Sequence, residues 1–165
     1  MHNTQFHNST LGELSLTEVI KQIKQFLEEF PQSEYGLVIG TDSQEHMIGK
    51  GSLTVVTAIV VHRKGFGGRY FWKKSSLPKP RSLRDKIYTE TLTSLSFATE
   101  FVPMLKKTLN GSTPNYNLEI HVDVGEHGAT REMIKEVVGM VTGNGFVAKT
   151  KPESFGASYI ADKHT

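Results

Sequence analysis

The chain has 165 residues, 37% of them apolar and 22% charged, with a formal net charge of +2. These proportions fit one soluble globular domain with a real core, and the charge is too small to imply nucleic-acid binding by itself. There is no cysteine, which excludes a disulfide framework, a thiolate metal site and a thiol nucleophile, and suits a reducing cytosol.

Residues 1–14 are polar and read as an irregular N-terminal arm. They lack the basic-then-apolar order of a signal peptide. The longest apolar runs, such as Ala58 to Val61, fall far short of a bilayer span, so the expectation is a cytoplasmic protein with no membrane partner. Residues 15–165 read as a single domain opening with a helix over 15–30. Leu16, Val19, Ile20, Ile23, Phe26, Leu27 and Phe30 recur at helical spacing, Ser15 or Thr17 is available as a cap, and Pro31 lies just past the end.

Tyr35 to Gln44 reads Y-G-L-V-I-G-T-D-S-Q. The apolar run Leu37, Val38, Ile39 suits a strand buried on both faces. It stops at Gly40-Thr41-Asp42-Ser43. A carboxylate at the exit of a buried strand loses solvation and persists only with a cation, a hydrogen-bond network or solvent; Asp and Ser are also common turn residues. Glu45 to Lys50 reads as a turn. Ser52 to His62 is rich in β-branched residues and reads as a long strand. Gly65, Gly67 and Gly68 make a hairpin turn, and Arg69 to Leu77 reads as a third strand. The short connections predict antiparallel pairing.

Pro78 and Pro80 break the pattern. Ser82 can cap a helix that runs to about Leu109, with Asp85 in its first turn and Pro103 as a kink or break. Glu90 shares helical spacing with Ile87, Ser94, Phe97 and Phe101, a stripe that looks inward, although a lone Glu can reach solvent from the edge of such a stripe. Asn117 to Gly125, N-L-E-I-H-V-D-V-G, is a further short strand. Leu118, Ile120 and Val122 alternate, and the strand ends in Asp123. Two strands that each end in Asp invite a side-by-side parallel arrangement, which brings both carboxylates to the carboxyl end of the sheet, where open α/β sheets place their ligands.

Thr130 starts another helix, with Met133, Ile134, Val137, Val138 and Val141 on its apolar side, and Gly143 and Gly145 end it. Gly145 to Lys149 is a short strand. Pro152 is a break, and Ser154 to about Lys163 is a last helix bearing Asp162 among small residues; Asp162 also reads as an ordinary surface acid at a frayed end. The order is helix, β, β, β, α, β, α, β, α. Right-handed crossovers in the second half predict an α/β fold with a mixed five-stranded sheet flanked by helices, plus the N-terminal helix. Counted from the Tyr35 strand, the expected spatial order is 3-2-1-4-5, with the second strand antiparallel to the rest.

This order of elements, with acids on the first strand, the next helix, the fourth strand and the last helix, resembles the ribonuclease H-like superfamily. I-G-T-D-S-Q, V-D-V-G, V-V-G-M-V-T-G-N-G-F and S-F-G-A-S-Y-I-A-D-K-H-T look like its YkuK-like branch. The resemblance implies a metal-dependent nuclease acting on RNA or DNA, with Asp42 bridging two Mg2+ or Mn2+ ions, Glu90 and Asp123 holding one, and Asp162 the other. Such ions prefer oxygen ligands, and a pair about 4 Å apart can both activate a water and stabilise the leaving oxygen. Two features depart from the better-known ribonucleases H. Asp42 is followed directly by Ser43 rather than by Gly-Ser, and Pro152 and Glu153 stand where a glycine- and histidine-containing loop precedes the last helix.

Lys73, Lys74, Lys79, Arg81 and Arg84 fall in one region beside Tyr70, Phe71 and Trp72, a combination that suits a nucleic-acid path with base stacking and equally a charged edge strand that resists aggregation. His121 reads as a core or edge histidine, and His164 as a terminal residue or a proton-transfer partner of Asp162. Gly143-Asn144-Gly145 ends a helix and is no phosphate loop. The leading expectation is a two-metal nuclease; the alternative is a ribonuclease H-like nucleic-acid-binding module without turnover.

Overall fold

The computed structural model describes residues 5–46, 51–111, 116–151 and 154. Its longest strands grow from the β-branched and apolar runs. β3 (Tyr35–His46), β4 (Ser52–Arg63) and β5 (Gly68–Pro78) follow one another as an antiparallel meander, from Tyr35↔Arg63 to His46↔Ser52 and from Ser52↔Pro78 to His62↔Gly68. The β4–β5 turn passes through Gly65 and Gly67, at φ of +80 and +82, a left-handed conformation that glycine adopts without strain. β6 (Tyr116–His121) pairs parallel with β3, from Tyr35↔Tyr116 to Gly40↔His121. β7 (Val147–Lys149) pairs parallel with β6.

The sheet has seven strands where five are expected. The extra pair lies where an irregular arm is expected: β1 (Phe6–Asn8) and β2 (Gly12–Leu14) form a hairpin that joins β5 at His7↔Trp72. The full order is β2-β1-β5-β4-β3-β6-β7. The reason is one apolar and one amide side chain. Phe6 is wholly buried with its ring 5.6 Å from that of Phe97. Asn8 donates to the Tyr70 carbonyl and accepts from the N–H groups of Thr10 and Leu11, which closes the turn.

α1 (Leu16–Glu29) is capped by Ser15, whose Oγ accepts from the Glu18 N–H. α2 (Leu83–Leu109) is capped by Ser82 on the Asp85 N–H and runs through Pro103 without breaking. Pro103 lies on the exposed side, where the carbonyl it leaves without a donor meets water, while Phe101, Leu105 and Leu109 hold the buried side. A 3-10 turn, Arg131–Met133, leads into α3 (Ile134–Gly143). The main core packs α1, α2 and α3 over the sheet through residues such as Ile23, Ile39, Ile59, Phe71, Phe101 and Val137. Val56 and Ala58 form a second, small cluster with Trp72 against it. The expected turn over 45–50 differs too: β3 extends to His46, and residues 47–50 lie outside the described residues. So does the expected last helix except for Ser154. Among the described residues, no helix is long and apolar enough to cross a membrane.

Arg63, only 6% exposed, ties α1 to the meander. Its Nη2 donates to the Phe26 carbonyl at 2.7 Å and to Glu29 at 3.0 Å, and its Nε to the Tyr35 hydroxyl at 3.1 Å. The guanidinium lies 4.1 Å from the Phe26 ring centre and 4.6 Å from that of Phe30. Replacing it with Ala removes hydrogen bonds to a charged donor and cation–π contact together. We expect Arg63→Ala to lower the unfolding free energy by about 2–4 kcal/mol, measured by denaturant titration. Arg63→Lys should recover less than half of that, because an ammonium lacks the planar fork.

Candidate active site

The β3–β6 ladder ends at Gly40↔His121. Carried on by two residues, the same parallel register would set Asp42, inside β3, opposite Asp123, two residues past the end of β6. Backbone bonds hold the chain around Asp123: the Val122 N–H donates to the Lys149 carbonyl at 2.9 Å, and the Lys151 N–H to the Val124 carbonyl at 2.8 Å. Both aspartates are half-buried.

Alternation along β3 turns Leu37, Ile39, Thr41 and Ser43 toward α2. The apolar row becomes hydroxylic at its end. Thr41 Oγ1 lies 2.7 Å from Ser94 Oγ and 3.3 Å from Thr57 Oγ1, and Ser43 Oγ donates to Glu90 Oε1 at 2.7 Å. Glu90 is thus buried, 5% exposed, rather than reaching solvent from a helix edge. The same alternation sends Asp42 to the other face, so Glu90 and Asp42 flank this stretch of β3 from opposite sides.

Burial pushes the Glu90 carboxyl up to about 8. The Ser43 hydrogen bond opposes this, the charge of Asp42 adds to it, Lys86 draws it down and Asp123 pushes it up again. Both aspartates therefore act on Glu90, and it carries a proton at neutral pH. A residue that the motif reading passes over completes the cluster. Lys151 Nζ lies 2.8 Å from Asp123 Oδ1, and the hydrogen bond and charge of Asp123, ahead of the charges of Asp42 and Glu90, raise its affinity for its proton.

Among the described residues, no three His, Cys, Asp or Glu side chains stand close enough to hold one metal ion. Asp162 and His164 lie outside the described residues. His121 is 7% exposed, and among the described residues neither ring nitrogen has a hydrogen-bond partner. Glu119 Oε1 is 3.8 Å from its Nε2, and burial holds the imidazole toward its neutral form.

The five basic residues do not share one surface. Lys74 sits in register with Val56 and Asp42, on the same sheet face as Asp42 and two strand spacings, about 9–10 Å, away. Lys79 and Arg81 are exposed just beyond β5, at the end of the sheet that carries Asp42. Lys73 lies on the opposite face, where its ammonium is 4.8 Å from the Phe97 ring centre and lines a cleft of about 400 Å³ with Glu100. Arg84 is paired with Glu136.

Glu90 sets a pH dependence. Between about pH 4.5 and 8 the folded chain holds a proton there that the unfolded chain has lost. The stability it contributes is complete below pH 4.5 and is lost as pH rises through about 8, a term of the order of several kcal/mol. Glu90→Gln keeps the acceptor for Ser43 and cannot ionise. In chelator its melting temperature should decline less than that of the wild type between pH 5 and 9; parallel profiles would contradict the assignment.

A ribonuclease H-like family profile matches residues 18–165. The chain is 32% identical over 168 residues to a Bacillus subtilis (strain 168) protein called uncharacterized protein YkuK, covering 97% of this chain and 96% of that one. No solved structure matches it. With the profile spanning all but the first strands, and the relative aligned across nearly the whole of both chains, this chain belongs to the ribonuclease H-like family.

Proposed function

We propose that the chain is a metal-dependent nuclease that hydrolyses phosphodiester bonds in RNA or DNA, with Asp42, Glu90, Asp123 and Asp162 as its carboxylates. One observation carries the reading. Asp42, inside β3, and Asp123, just past the end of the adjacent parallel strand β6, lie near enough to Glu90 to help hold its buried carboxyl protonated up to about pH 8. A carboxyl in that setting takes either a proton or a cation. The donor set is all oxygen, which suits Mg2+ or Mn2+, and an ammonium is already drawn to it. Two such ions would supply the charge that activates a water and stabilises the leaving oxygen. Asp42 would serve both, Glu90 and Asp123 would hold one, and Asp162 would hold the other.

The chain's own groups do the positioning. Ser43 fixes the Glu90 carboxyl, and the Thr57–Thr41–Ser94 hydroxyl chain seats the end of β3 against α2. For substrate, Lys74, Lys79 and Arg81 offer phosphate contacts at the acidic end of the sheet, whereas Lys73, on the opposite face, and Arg84, paired with Glu136, stand apart from that path. Tyr70 and Trp72, stacked with ring centres 5.6 Å apart, stand on the Lys74 face and offer an aromatic platform for bases.

A second reading is a nucleic-acid-binding module without turnover. It is favoured by Lys151 occupying Asp123 and by the absence, among the described residues, of three acids or histidines close about one point. Activity separates the two. Purified protein should cleave single-stranded or structured nucleic acid in Mg2+ or Mn2+. Asp42→Asn should lower the rate roughly 100-fold or more, since metal catalysis contributes several kcal/mol, while leaving salt-dependent binding intact. A wild type that binds without cleaving supports the module, and an Asp42→Asn variant as fast as wild type removes the two-metal assignment.

A further inference from the structure

We infer that Lys151 is a built-in counter-cation, whose ammonium occupies Asp123 in the metal-free chain and has to leave before a divalent cation binds there. The inference rests on the metal-site reading above and deepens it. Three independent features aim Lys151 at the acids. Its Nζ lies 2.8 Å from Asp123 Oδ1. Its backbone N–H is anchored on the Val124 carbonyl at 2.8 Å, on the far side of Asp123. Its stem runs over Gly125, where an added Cβ would stand 3.0 Å from Lys151 Cβ, 3.5 Å from Cδ and 3.7 Å from Cγ. The bare backbone at Gly125 is what leaves room for the side chain to reach back.

Clustered carboxylates repel one another unless a positive charge or a proton intervenes. A proton serves Glu90, and the ammonium serves Asp123. The arrangement is reversible by construction. The Lys151 side chain is 59% exposed and its four-carbon stem is flexible, so the ammonium can swing into water. An incoming dication takes the same oxygen lone pairs and repels the ammonium, so the two exclude each other. Lys151 thereby keeps the strand ends together without metal and raises the metal concentration at which the site fills.

Calorimetric titration with Mn2+ alone tests this on the wild type, Lys151→Met, Lys151→Arg and Asp42→Asn. Lys151→Met should bind Mn2+ about two- to five-fold more tightly than wild type, the range an exposed ion pair supplies, and Lys151→Arg should stay near wild type. In chelator Lys151→Met should melt at a lower temperature than wild type, and Mn2+ should close the gap. Equal or weaker Mn2+ affinity in Lys151→Met, with binding lost in Asp42→Asn, overturns the counter-cation and leaves the metal site standing. No Mn2+ binding to any of the four proteins overturns the metal-site reading, and this inference with it.

Discussion

Everything at the candidate site depends on the parallel pairing of β3 with β6. Side-chain direction alternates along a strand, so a slip of one residue would turn Asp123 to the opposite face from Asp42. Burial prevents the slip: Leu37, Ile39 and Ile120 are fully enclosed beneath the helices, and a shifted register would carry Ile120 out of the core. Parallel neighbours need a long return path, and the 27-residue α2 lies on it. The crossover that makes the pairing possible therefore also delivers Glu90 to the strand end. Topology and chemistry share one cause.

The second constraint is electrostatic. The α2-facing row of β3 changes from Leu37 and Ile39 to Thr41 and Ser43 within one sheet face, and α2 answers with Ser94 and Glu90. Buried hydroxyls and carboxyls are tolerable only when paired, and here each finds a partner across the helix–sheet interface. The seam fixes where Glu90 sits and leaves its charge to be settled by its surroundings. Burial and two neighbouring aspartates favour a proton; a dication at the same place would reverse that balance.

Much of this was legible from residues alone, because it rests on burial patterns that repeat. The β-branched runs of the meander and the apolar core of the Tyr35 strand follow from periodicity, and so does the place of Asp123 just past its strand; Asp42 does not end its strand, which runs on to His46. What escaped rests on single side chains or on contacts distant in sequence. The β1–β2 hairpin hangs on Phe6 and Asn8, too few residues to set a period. Pro103 passes within a helix because it faces outward, which the sequence shows only once the buried face is known. Ser43 had a signal, its two-residue spacing from Leu37, Ile39 and Thr41. Lys151 had none: its partner lies 28 residues away in sequence, and its route depends on the missing side chain of Gly125. The basic segment dispersed because Lys73 and Lys74, adjacent in sequence, necessarily leave a strand on opposite faces.

The central claim is that a divalent cation belongs among the strand-end acids. The most direct measurement is anomalous diffraction from crystals of this protein soaked in manganese. The account predicts anomalous density in contact with Asp42 and Asp123 and close to Glu90. Well-ordered density for those three side chains with no manganese among them, or manganese bound only elsewhere on the molecule, would contradict it.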